Sequence, residues 1–166
     1  MPLVQKEETM KEILLVAIIS ICTFGCSENP EVLFNKMINN PNIENGMSYS
    51  RLYSYDLKTG DKNEYQDKLY QMGKKVNTFL LEKAKGTNIT KYFIPNIVCP
   101  LSDGDVAIAL FIDINKIDDN VFISTLVNEE IKEEYNTIGA SIWWNWLHRN
   151  IKNREWIIAR LKEIEN

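Results

Sequence analysis

The stretch that most constrains this chain is Met10 to Cys26, MKEILLVAIISICTFGC. From Ile13 to Phe24 it is apolar for about a dozen residues, with no polar stripe to give a surface helix its solvent side. Crossing a bilayer takes roughly 20 such residues, whereas a dozen is the length of an export-signal core. Lys11 supplies a short charged start, and the run stops at Gly25-Cys26. The plainer alternative is an ordinary buried helix of a cytosolic domain. That would ask a small body to cover an apolar helix on every side.

Thr23-Phe24-Gly25-Cys26 resembles the lipobox that closes the signal peptide of bacterial lipoproteins, in which a small residue precedes the cysteine that becomes the first residue of the mature chain. The resemblance implies cleavage between Gly25 and Cys26, acylation of Cys26 with chains such as palmitate, and a lipid anchor in a membrane of the bacterial cell envelope. Thr23 stands where that family usually has Leu. The nine residues MPLVQKEET before Met10 carry Glu7 and Glu8, opposite in sign to an export signal's charged start, so Met10 is read as the initiator. The expected organisation is a signal peptide over 1–25, a lipidated tether over 26–30 and a single helical domain over 31–166.

Composition supports one folded body behind that leader. With 45% hydrophobic and 25% charged residues, the chain can build a single core and little more. The net charge of −4 and the lack of a Lys/Arg cluster give no electrostatic footprint for nucleic acid. Of Cys22, Cys26 and Cys99, the first leaves with the leader and the second would carry lipid, so no disulfide framework is expected. One histidine, His148, builds no zinc site alone, and no metal or other cofactor is expected.

Periodicity after the tether reads as mainly α, a small irregular bundle of about five helices with one extended Tyr-rich segment. Asn29-Pro30-Glu31 starts the first helix, running to Asn39 and burying Val32, Leu33, Met37 and Phe34. Met47, Tyr49, Tyr53, Tyr55 and Leu57 fall on a period of two, as in an extended segment over the helices or a small hairpin. Asp61 and Glu64 read as a capping box for a helix bearing Tyr65, Leu69, Met72, Val76, Phe79 and Leu80, with Gly86 as its left-handed cap. Within it, LYQMGKKVNTFLLEKAKG resembles the second helix of a HEAT-type repeat, which implies HEAT-like packing. The resemblance covers one helix, and no second copy follows.

Thr87–Leu101, with Pro95 and Pro100, reads as an irregular buried link. Ser102-Asp103-Gly104-Asp105 invites a metal or acid/base reading, but a capping box at the start of a buried central helix accounts for it more simply. Leu126, Val127, Ile131 and Tyr135 recur at helical spacing beneath an acidic, solvated face. From Ile138 to Asn150, Ile142, Trp143, Trp146 and Leu147 form one stripe, and Trp144 falls beside it near His148. Asn153 is read as the cap of a last helix burying Trp156, Ile157, Leu161 and Ile164.

Catalytic motifs are absent from the sequence. The function read from it is a lipid-anchored envelope protein acting as a non-enzymatic binding or structural module, with an envelope protein or glycan as partner. The candidate surface is Tyr49, Tyr53, Tyr55, Trp144 and His148, residues with rings to present. Two other classes stay open: an envelope hydrolase using His148 with Asp103 or Asp105, and a cytosolic adaptor or immunity-type protein.

Overall fold

Asn29 begins the first element by accepting a hydrogen bond from the Glu31 N–H at 2.9 Å, and Pro30 occupies the first helical position, where a missing N–H costs nothing. The computed structural model describes residues 28–40, 43–48, 51–56, 62–94 and 99–165. Helix α1 spans Pro30–Asn39 and buries Leu33, Phe34, Met37 and Ile38. Val32 is 47% exposed, because it lies on the opposite side of the helix from Phe34.

The Tyr-rich segment forms a hairpin. Strand β1 (Ile43–Ser48) pairs antiparallel with β2 (Arg51–Asp56), placing Tyr53 opposite Gly46 and Tyr55 opposite Glu44. Helix α2 (Glu64–Met72) is capped by Asn63, which accepts from the Tyr65 N–H at 3.0 Å; Asp61, the expected cap, lies outside the described residues. A 3-10 turn (Gly73–Val76) then leads into α3 (Asn77–Lys83). Gly73, at φ +57°, takes the left-handed backbone expected of Gly86, so one long helix becomes two with a joint.

The expected irregular link is a second hairpin. Strand β3 (Ile89–Ile94) pairs antiparallel with β4 (Cys99–Ser102) through a register shift, and Pro100 is tolerated because a two-stranded ribbon leaves every strand an edge. Tyr92 is buried, while Ile89 and Phe93 are exposed. The first hairpin lies against β3 and against the next helix.

That helix, α4 (Asp103–Ile114), is the centre of the molecule: every residue from Asp103 to Ile112 is buried. Ser102 and Asp105 form the reciprocal capping box at its start. Its other end is tied to α3 by two amides, with Asn77 donating to Asn115 at 3.1 Å and Asn115 donating back at 2.9 Å.

The next apolar segment is two helices rather than one. Asp118 caps the short α5 (Asp119–Val121), which continues as a π-helical turn over Phe122–Leu126; after a bend and turn comes α6 (Lys132–Ile138). The last carbonyl of the π turn, that of Leu126, accepts from the Trp143 indole N–H at 2.6 Å. Helix α7 (Ala140–Arg149) follows Gly139 at φ +80°, and α8 (Ile151–Glu165) completes the body. Asn150, not Asn153, caps α8, accepting from the Lys152 N–H at 3.0 Å; Asn153 instead donates to the Trp146 carbonyl at 2.6 Å. The protein is mainly α, an irregular helical bundle with two small hairpins.

Candidate functional site

Chemistry-bearing side chains converge where the start of α4 meets the ends of α3 and α7 and the first turns of α8. Helices α3 and α4 approach there almost backbone to backbone. A methyl group at Gly104 would run into the Gly86 carbonyl oxygen and sit 2.6 Å from that of Ala84, while one at Gly86 would strike the Asp103 carboxylate. Two glycines at this crossing are what let the helix start fit, and Gly86 is needed for closeness rather than for a left-handed turn.

The two carboxylates of the Ser102–Asp105 cluster diverge. Asp103 Oδ1 accepts from the backbone N–H groups of Asn88 (3.1 Å) and Gly104 (2.9 Å), and Oδ2 accepts from the Asn88 amide at 3.2 Å. Lys83 Nζ lies 3.3 Å from the same oxygen. Asp105, fully buried, accepts from the Ser102 N–H at 2.7 Å and its hydroxyl at 2.8 Å through Oδ2. Its Oδ1 is paired with Arg154 Nη2 at 2.5 Å, and Arg154 Nη1 reaches the Ala84 carbonyl at 3.1 Å. His148 Nε2 stands 3.4 Å from Asp105 Oδ2, with 27% of its side chain exposed.

At the positive end of the α4 dipole each carboxylate has a cation of its own, Lys83 beside Asp103 and Arg154 beside Asp105. The guanidinium suits the position because its fork serves a carboxylate and a carbonyl at once. Chemically, the junction clamps three helices to the start of a fourth. Of the sequence-derived set of His148 with Asp103 or Asp105, the structure places Asp105 3.4 Å from His148. Asp103 is engaged elsewhere. Arg154 went unnoticed, although its spacing carried a signal: it shares the face of Ile157, Ile158 and Leu161, where a charge needs a buried partner.

The proposed aromatic surface fares differently residue by residue. Trp144 is 1% exposed and is core, not surface. The helical projection placed it off the stripe, but α7 is packed on both flanks. Trp143 meets Phe122 on one side, Trp146 meets Trp156 edge-on on the other, and Trp144 stacks edge-on against Trp143 at 4.6 Å. Tyr53 and Tyr55 lie in β2, while Tyr49 and Cys26 lie outside the described residues.

A separate tyrosine, Tyr70, donates to Asp113 Oδ2 at 2.8 Å and accepts from Gln66 at 2.8 Å. Burial, and then the nearby Asp113 charge, raise its pKa well above the usual value for a phenol. Among the described residues no group of three His, Cys, Asp or Glu side chains could hold a metal ion, and no helix is long and apolar enough to cross a membrane.

No protein-family model, curated protein or solved structure matches the chain.

Proposed function

We propose that the chain is a lipid-anchored protein of the bacterial cell envelope whose helical body works as a binding or structural module. The observation that carries this reading is the apolar run Ile13–Phe24 ending at Gly25-Cys26, too short to span a bilayer and placed directly ahead of the folded body. Pro30 opens α1 four residues after Cys26. An acylated Cys26 would therefore hold the start of α1 within about 14 Å of its lipid, since an extended chain covers roughly 3.3–3.6 Å per residue. The pairing of each carboxylate of the α4 junction with a cation supports a structural rather than a reactive role for them.

Mass spectrometry of the N-terminus of the membrane-extracted protein tests the reading. A diacylglyceryl or triacylglyceryl cysteine at position 26 is expected, lost in Cys26→Ser together with membrane fractionation. An intact Met1 or Met10 on protein recovered from the cell interior overturns it and turns attention to the cytosolic adaptor.

A second reading, an envelope hydrolase, rests on the 3.4 Å approach of His148 to Asp105. It requires His148→Ala to abolish hydrolysis of an envelope ester or amide while leaving the urea midpoint near that of the unaltered protein.

A further inference from the structure

Between the π turn and α8 lies a cleft of about 470 Å³, lined by Ser124, Thr125, Val127, Asn128, Glu129, Trp156 and Arg160. Its volume is in the range of roughly 300–1,000 Å³ usual for small-ligand sites. The π turn shapes one wall. Phe122 and Leu126 are buried at its two ends, which leaves Ser124 exposed and Thr125 half-buried between them. Single π turns inside helices are uncommon and are found disproportionately at functional sites.

The opposite wall is an aromatic ring held in place. Trp156 is half-buried, meets the buried Trp146 edge-on at 5.7 Å and carries the Arg160 guanidinium 5.2 Å from its ring centre. The charges on the rim are satisfied by partners that do not line the cleft. Glu129 pairs with Lys132 at 2.6 Å, and Arg160 pairs with Glu163 at 2.7 Å. The cleft therefore offers hydroxyls, an amide, a carboxylate and a guanidinium around an indole, with no net charge to attract an ion of either sign.

We propose that this cleft binds an uncharged, hydroxyl-rich glycan, with Trp156 meeting the apolar face of a sugar ring and Ser124, Asn128, Glu129 and Arg160 pairing its hydroxyls. Each sugar hydroxyl both donates and accepts, which matches a rim carrying groups of both kinds. The inference deepens, and rests on, the reading of the body as an envelope binding module.

The full chain carrying Cys26→Ser is labelled with ¹⁵N and titrated to millimolar levels with an N-acetylglucosamine trisaccharide, with cellotriose and with a blocked alanine tripeptide. Trp156→Phe assigns the Trp156 indole signal among the four. Either trisaccharide is expected to shift that signal and the Asn128 side-chain amide while the Trp143, Trp144 and Trp146 indoles stay in place. Glu129→Ala and Asn128→Ala, on the rim rather than in the core, are each expected to weaken binding at least threefold with the remaining spectrum retained. No shift at Trp156 with either sugar, or a shift with the tripeptide alone, overturns the proposal. Such a failure alongside an acylated Cys26 leaves the envelope reading standing, whereas sugar binding by a chain that is never acylated supports the cleft and removes the location.

Discussion

Arg154→Met is the substitution that most directly probes how α4 is held. Met keeps most of the side chain's length and apolar stem, so the loss is electrostatic. It strips the Asp105 carboxylate of its 2.5 Å partner while Asp105 stays fully buried, and it frees the Ala84 carbonyl of a 3.1 Å donor. Removing one member of a buried pair costs about 3–5 kcal/mol, mostly from the uncompensated charge left behind. Of that, the bond to the carbonyl accounts for about 1 kcal/mol. For a domain of this size the melting temperature should fall by roughly 10–15 °C. Equilibrium urea unfolding followed by tryptophan emission measures it, since Trp143, Trp144 and Trp146 are buried and report on the core. Asp105→Asn alone leaves a buried guanidinium and should also destabilise. The double variant should then be milder than the sum of the two by about 2 kcal/mol or more, the coupling expected of contacting buried groups. Because the pair is shielded from solvent, that coupling should change little with added salt. An Arg154→Met cost below about 1 kcal/mol, or additive single effects, would refute the clamp.

Gly104→Ala should prevent stable folding or cost at least about 3 kcal/mol, because the new methyl meets the carbonyls of Ala84 and Gly86, which are backbone and cannot turn aside; soluble yield and urea midpoint read the outcome. Asn77→Ala should cost about 1–2 kcal/mol by urea unfolding, since it breaks both amide bonds that tie α3 to the far end of α4. Tyr70 is protonated more firmly in the folded state than in the unfolded one, so its contribution is complete below the ordinary phenol pKa and drains away as pH rises beyond about 10. Tyr70→Phe should flatten the alkaline loss of stability by up to about 1.4 kcal/mol per pH unit in that window, and an unchanged alkaline slope would count against the shift.

Features settled within four or five residues could be read from the sequence. The Asn29-Pro30-Glu31 start and the Ser102–Asp105 capping box stand where local chemistry puts them, because a cap and its target are neighbours in the chain. The buried α4 was legible for a similar reason, since VAIALFI offers water no side. The mainly helical fold follows from such segments. What went unread was decided by partners. The helix expected from Tyr65 to Gly86 is jointed at Gly73, and nothing in its apolar spacing marks the joint. Ile89–Ser102 holds two prolines and looked irregular, yet a ribbon with no inner strand accepts Pro100 where a wider sheet would not.

The candidate site divides along the same line. Asp105 and Arg154 are 49 residues apart, so no local pattern joins them; only the misplaced charge on the face of Ile157, Ile158 and Leu161 hinted that something buried had to answer it. Trp144 misled for the converse reason. A helical projection ranks positions by angle from a stripe, which identifies surface only when a helix has one packed side, and α7 has more than one. Once the indoles of Trp143, Trp144 and Trp146 are committed to the core, Trp156 is the tryptophan left at a solvent boundary. The aromatic weight of the last third thus builds the interior first, and what it presents to a ligand sits on α8 beside the π turn rather than on the helix richest in tryptophan.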